Sequence, residues 1–595
     1  MAALHLCPRE ALETDLVIRQ MIRYFVPIAL LTATAAAQMP PAAPQPDKET
    51  ARAARPVIPN AEDLNPLAGE VQALAQEVKI LRQELDRQHQ EIEQMRRGAG
   101  GARDLQAADA QEATAAATAA RLTTEAAAMR AAPAEPAARL PELRAPENSA
   151  EQTAAASEEE AYSIRFGKAS LTPGGWVDFT SYFRSTNVGS GLGTSFASIP
   201  FNNTVQGGLS ELRFTAQNSR ITLRADENFG ATRVFGYAEA DFNGYLPSNA
   251  YVSTNSDSMR LRVYFTNLSR GRWEFLGGQS WSLLTPNRIG VSPFLSEIYN
   301  TLHLDTNYQL GLTYARQAQL RAVVHVTPAV AVGVSAENPE QYSGGAATFP
   351  ALFSTTQTDL GSGSGAGGGT STPTLHPDVI AKLSADPGWA HRHWHFETAG
   401  LLTGVAILTP ASVTKAASSR DVREGGGVTA VANLPVTRGL HLILTGFWSD
   451  GGGRYIGGLG PGFVVAQQAS KTGPFLAQLV HAGSGIAATE WQATRTTVLS
   501  ATLSAAYFGR AFSRDPSTGE LVGYGFAGSA NSNNRVLREA TFATQTTLWK
   551  QAGFGAVQMI TQSSYIMRTP WWVAPDSPRD AHVFAGYATL RYVLP

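Results

Sequence analysis

His391, His393 and His395 stand at alternate positions beside Trp394, so on an extended strand all three imidazoles would share one side. Such a row invites a metal-site reading. A tetrahedral zinc site needs a converging fourth donor, and no cysteine or convergent carboxylate completes the set. A hydrated strand face after the turn at Asp386–Gly388 accounts for the histidines more simply. The glycine runs Gly367–Gly369 and Gly451–Gly453 lack the lysine and the strand-to-helix setting of a phosphate-binding loop. There is no G-x-S-x-G elbow, and the one cysteine, Cys7, lies near the start of the chain. These residues point to no enzyme, no cofactor and no metal.

Charged side chains recur instead at alternate positions along apolar segments. From Trp176 to Arg184, Val177, Phe179 and Phe183 fall on one face, and Asp178, Thr180, Tyr182 and Arg184 on the other. Arg220, Thr222, Arg224 and Asp226 oppose Ile221, Leu223 and Ala225, while Tyr237, Glu239 and Asp241 oppose Val234, Ala238, Ala240 and Phe242. Arg260, Arg262, Tyr264 and Thr266 oppose Met259, Leu261, Val263 and Phe265. A period of two is that of a strand with one buried and one hydrated face. The candidates to line a solute path are therefore Arg220, Arg224, Arg260, Arg262, Asp178, Asp226, Glu239, Asp241, Tyr237 and Tyr264. A ladder of guanidinium groups can replace part of a solute's hydration shell. The same charges can equally pair with one another and brace the wall, and both readings stay open.

Similar alternation recurs at Leu310 to Tyr314, Ala318 to Val326, Leu440 to Phe447, Val498 to Phe508 and Phe542 to Trp549. The chain closes with Phe584, Gly586, Ala588, Leu590, Tyr592 and Leu594 facing away from Tyr587, Thr589 and Arg591. Regular charge on the polar face, and brief turns (Asp386–Gly388, Pro435–Gly439) alternating with long loops such as Ser343–Pro377, favour a membrane barrel over a soluble sandwich. No apolar run reaches the roughly 18 residues of a helical span, so a membrane-spanning form must be a closed barrel. The expected fold is all-β, a transmembrane antiparallel β-barrel over residues 163–595. At twenty-odd residues per strand with its share of loop, that length makes about 16 to 18 strands, enough to leave an aqueous lumen. The stretch from Ser282 to about Thr306 carries Pro286 and Pro293 and little alternation. It is either a loop folded into the lumen, with Arg288, Glu297 and Asp305 at a constriction, or an ordinary outer loop.

The first part of the chain reads differently. Arg23, the apolar stretch Tyr24–Thr34 and Ala35-Ala36-Ala37 mark a signal peptide over 1–37, with Met21 the expected start. A Pro/Ala-rich linker over 38–62 precedes a short α-helical coiled coil over 63–97. Its seam runs through Leu67, Val71, Leu74, Val78, Leu81, Leu85, Gln88, Ile92 and Met95. An Ala/Pro-rich tether over 98–162 follows. The 47 basic and 49 acidic residues nearly cancel, which argues against a nucleic-acid partner.

The order of Glu211-Leu212-Arg213-Phe214, Asn218-Ser219-Arg220, Gly236–Phe242, Leu261-Arg262 with Tyr264, Gly278-Gln279-Ser280-Trp281-Ser282, Gly453-Arg454-Tyr455, Arg568–Trp572 and Leu590–Pro595 resembles Gram-negative trimeric outer-membrane porins. The likeness is to the DcaP-like group in particular, which carries a coiled-coil segment ahead of the barrel. Leu594 stands where a terminal Phe is usual, with Pro595 after it. The resemblance implies a homotrimer of barrels in outer-membrane lipid, with the coiled coil in the periplasm and passive diffusion of small hydrophilic, often anionic, solutes. The alternative is a structural or adhesive anchor that reaches peptidoglycan through the N-terminal segment. A barrel of about eight to twelve strands filled by side chains would favour the anchor.

Overall fold

The computed structural model describes residues 163–244, 256–299, 302–361, 373–389 and 392–595. The expected leader, linker, coiled coil and tether lie outside the described residues. An 18-stranded sheet closes on itself. One of its segments, Ile164–Phe166, only folds back on the next strand, and two others are halves of one interrupted strand, so the barrel wall has 16 strands.

In chain order the wall strands are β1 (Ala169–Arg184), β2 (Glu211–Thr215 and Arg220–Phe229), β3 (Thr232–Asp241), β4 (Arg260–Arg270), β5 (Trp273–Trp281), β6 (Arg316–Thr327), β7 (Val330–Glu337) and β8 (Asp378–Ala385). They continue as β9 (His395–Thr409), β10 (Ser419–Thr437), β11 (Leu440–Asp450), β12 (His481–Gln492), β13 (Thr497–Phe508), β14 (Asn534–Gln551), β15 (Gly555–Pro570) and β16 (Ala581–Val593). Each wall strand pairs antiparallel with its sequence neighbours, and β16 returns to β1 through Trp176↔Val593 to Arg184↔Ala585. Closure leaves no edge, so every wall strand has two hydrogen-bonding neighbours without help from water.

The two faces follow the period-two pattern. Val177, Phe179, Ile221, Leu223, Leu320, Leu402 and Leu590 are exposed on the outside, while Asp178, Thr180, Arg220, Glu239 and Thr589 are buried inside. A contiguous apolar exterior of this extent is tenable in lipid and not in water. Aromatic side chains gather at its two borders: Trp273, Trp491, Trp549 and Tyr592 near the short turns, Trp448 and Tyr565 toward the long loops. Trp491 lies opposite Leu440, eight residues along β11 from Trp448. That is roughly 26 Å of strand, or about 20 Å of thickness at the usual tilt, close to the apolar band of an outer-membrane barrel.

Two expectations are corrected. Tyr264 faces outward, not into the lumen, and is 43% exposed. A bulge in the β3–β4 ladder between Glu239 and Ala240 skips one residue of β4, so inward facing passes from Arg260 and Arg262 to Val263 and Phe265. On the next strand Gly278, at φ +138°, lies against this irregularity; a Cβ there would stand 2.4 Å from the Tyr264 carbonyl oxygen. The segment Leu310–Tyr314 is not a strand: Leu310 and Leu312 are buried in the connection between β5 and β6. Their alternation reflects packing inside the barrel.

Candidate permeation site

The β5–β6 connection, residues 282–315, folds into the barrel. Leu283, Leu284, Val291 and Leu310 pack among inward-facing Val323, Ala331, Ile380, Ala399 and Leu401. The segment doubles back on itself through Arg288 N to the Glu297 carbonyl at 2.7 Å and Tyr299 N to the Pro286 carbonyl at 3.2 Å. Loop N–H groups away from water need partners, each unmade bond costing about 1–3 kcal/mol. The wall supplies them. Glu337 of β7 accepts from Leu283 N at 2.8 Å, Glu397 of β9 from Asn287 N at 3.2 Å, Glu539 of β14 from Leu310 N at 2.8 Å, and Gln562 of β15 from Leu304 N at 2.6 Å. Lys382 of β8 donates to the Thr285 carbonyl at 2.8 Å and to Glu397 at 3.1 Å. These anchors lie on widely separated strands, so the segment crosses the lumen.

The expected constriction residues end in different settings. Arg288 makes a two-pronged bond to Glu490 of β12, both arms at 2.7 Å. Asp305 accepts from Thr194 N at 3.0 Å and from the Tyr587 hydroxyl at 3.0 Å, which ties the β5–β6 loop to the β1–β2 loop and to β16. Glu297 has no side-chain hydrogen bond or ion pair among the described residues. It sits between Arg224 and Glu274, and burial pushes its carboxyl up to about 7.

The candidate residues of β2, β3 and β4 come together on one side of the lumen. Arg262 bonds Glu239 at 2.8 Å and also Asp241, and donates to the Tyr308 hydroxyl at 2.9 Å. Arg260 holds Asp241 by two bonds, at 3.0 and 2.8 Å. Arg220 approaches Glu239 at 3.4 Å but leaves Nε and Nη1 without a hydrogen-bond partner. Arg316, at the start of β6, joins the group beside Arg260 and Arg262. Three guanidinium groups contact Glu239 and Asp241 and Arg316 stands beside them, so among the described residues the cluster has an excess of two positive charges. The pairing reading and the basic-ladder reading both find a place here: carboxylates organise the arginines without neutralising them.

The other candidates flank this cluster. Asp178 is held by Arg591 of β16 through two bonds of 2.7 Å, and Arg220 and Arg591 both stack on Trp176. Arg224 and Arg233 share Asp226 nearer the short turns. Tyr237 donates to Glu239 at 3.2 Å and meets Phe265 and Phe294, which fixes the loop to β3 and β4. Arg316 and the acceptors Glu337, Glu397, Glu490 and Glu539 were missed from sequence. Arg316 falls between the alternating stretches Leu310–Tyr314 and Ala318–Val326 and belongs to neither, and the glutamates carried only a parity signal.

His395 is held by Asp386 at 2.7 Å, with Glu397 at 3.3 Å. Arg392–His393 belongs to a separate two-residue ladder with Gly388–Trp389, so His393 and His395 are in different elements, and His391 lies outside the described residues. No group of three or more histidine, cysteine or carboxylate side chains among the described residues is placed to hold a metal.

No protein-family model matches the chain, and no curated protein matches it. Solved structures do. The outer membrane channel DcaP of Acinetobacter baumannii aligns with a TM-score of 0.50 at 14% identity, over 72% of this chain and 99% of that one. An anion-selective porin from Comamonas acidovorans aligns with a TM-score of 0.40 at 9% identity, over 72% and 100%. OprB of Pseudomonas putida gives 0.38 at 10% identity, over 75% and 97%. The likeness to the Acinetobacter channel shows a shared fold, that of an outer-membrane channel barrel.

Proposed function

We propose that this chain is an outer-membrane porin through which small hydrophilic solutes, anions in preference, diffuse passively. The observation that carries this reading is the lumen-crossing loop beside an arginine cluster with two unneutralised positive charges. Arg260, about one-third exposed, is the guanidinium group a passing solute reaches most readily, while half-buried Arg316 and buried Arg220 and Arg262 add to the field behind it. Low dielectric around the loop strengthens that field relative to bulk water. No catalytic role is assigned.

The working unit in this reading is a homotrimer in outer-membrane lipid, its heptad helices gathered in the periplasm. The anchor alternative has less support, because 16 strands enclose more space than side chains alone fill. Purified protein in a planar lipid bilayer tests the reading. Ohmic single-channel openings, with a reversal potential of anion sign under a salt gradient, are the expected result. A silent bilayer containing folded protein sinks it.

A further inference from the structure

The outside of the barrel is apolar toward the long loops along most of its rim, as at Phe183, Leu212, Val379, Leu402 and Leu408. The sector formed by β13, β14 and β15 departs from this. Leu537, Glu539 and Thr541 are buried inside, so Arg538 between them points outward. It lies opposite Ala505 of β13 and Met567 of β15, with His582 of β16 opposite Met567 on the far side. Arg535, in the bulge that opens β14, stands above it. Trp571, just past β15, is stacked by Arg535 at 5.1 Å and by Arg510, beyond the end of β13, at 5.4 Å.

This is a braced surface. Trp571 donates its indole N–H to the Phe508 carbonyl at 3.0 Å and its backbone N–H to the Asn533 carbonyl at 2.9 Å. Its ring meets Tyr507 edge-on, and Tyr507 stacks on Trp448. The indole is therefore fixed at the border of the apolar band, with guanidinium groups on it and just below it. Asp580 is the acidic group that faces Arg538 and forms no ion pair with it. Neither Arg510 nor Arg538 forms an ion pair among the described residues.

We infer that this sector docks the phosphate groups of an anionic, phosphorylated glycolipid of the outer leaflet. Guanidinium groups recognise phosphate oxygens through paired N–H bonds, and aromatic belts hold this depth in a bilayer. Arg538, below Trp571 on the strand, reaches up toward the headgroup level along apolar surface, as long basic side chains do. Arg510, past the strand end, meets the same group from above. The occupant is a lipid and not a free anion, because the surface beneath the arginines is the apolar outer wall.

The inference rests on the outer-membrane placement of the barrel but not on permeation. The full-length protein and its Arg510→Ala, Arg538→Ala double variant, both in detergent micelles, are titrated with diphosphoryl lipid A and with the same lipid after enzymatic removal of its phosphates. Bound lipid is counted by native mass spectrometry, and bilayer conductance is recorded on the same preparations. The expected result is retention of the phosphorylated lipid by the natural protein, at least tenfold weaker retention by the double variant, and equal conductance of the two. Equal retention by both proteins, equal retention of the dephosphorylated lipid, or displacement by millimolar inorganic phosphate alone overturns the proposal. Loss of the oligomer in the double variant also overturns it, by marking this face as a contact between copies. An Arg510→Lys, Arg538→Lys variant that folds and retains intermediate lipid guards against misfolding as the cause.

Discussion

Charged groups on the two sides of the lumen act differently. On β2 to β4 and at the start of β6, arginines outnumber their carboxylate partners and Arg260 stays partly open. On β7, β9, β12 and β14 the carboxylates Glu337, Glu397, Glu490 and Glu539 are turned onto the crossing loop, where backbone N–H groups and Arg288 occupy them. Counting charges along the lumen would suggest a symmetric transverse field. The geometry instead leaves arginines in excess on one side, while the carboxylates of the other hold the loop in place.

Breaking the acidic side at its buried ion pair should have the largest effect. Glu397→Ala strips Lys382 of its carboxylate partner, with both side chains about 1% exposed, and should lower stability by about 3–5 kcal/mol. It also frees the loop at Asn287, so unfolding midpoints should fall while single-channel conductance rises and becomes noisy. Unchanged midpoints would mean the loop is held elsewhere.

On the basic side, Arg260→Ala with Arg262→Ala removes two of four guanidinium groups and cancels the excess. The anion-to-cation permeability ratio should drop by roughly three- to tenfold, about 0.7–1.4 kcal/mol. Reversal potentials under a salt gradient check this, and an unaltered ion preference would remove the basic side from the mechanism. Glu490→Gln sharpens the comparison, since it neutralises an acidic group already tied to Arg288. Its change in selectivity should be smaller, about twofold, and toward anions. A larger shift there than on the basic side would invert the assignment.

The smallest effect concerns pH. Burial raises the Glu297 carboxyl from an ordinary 4.5 to about 7, near Arg224 and Glu274. Between these values the folded protein holds a proton that the unfolded chain has lost, so the contribution of Glu297 to stability falls as pH rises through that window and then levels off. One negative charge also enters the lumen as pH passes about 7. Anion preference should therefore be higher at pH of about 5.5 than at about 8.5, and Glu297→Gln should flatten the part due to this group. A profile identical in the variant would remove Glu297 from the titration.

Much of the barrel was legible because lipid and lumen impose alternation on each strand separately. Asp178, Arg220, Arg224, Glu239 and Asp241 could be assigned to the inner face from parity alone, and the inequality of turns and loops predicted the two ends. Parity failed where one extra residue entered a ladder, which turned Tyr264 outward and Val263 and Phe265 inward. It failed again at Leu310–Tyr314, where loop packing imitates a strand.

The sequence by itself therefore determined that strands form, how many the chain can supply, and which side chains meet lipid. Those are properties of local periodicity and total length. The tertiary structure decided that residues 282–315 cross the lumen, that Arg316 completes the basic cluster, and that Glu397, Glu490 and Glu539 serve the loop. Each depends on contacts between strands far apart in the chain, and closure of the ladder is what brings them within hydrogen-bond reach.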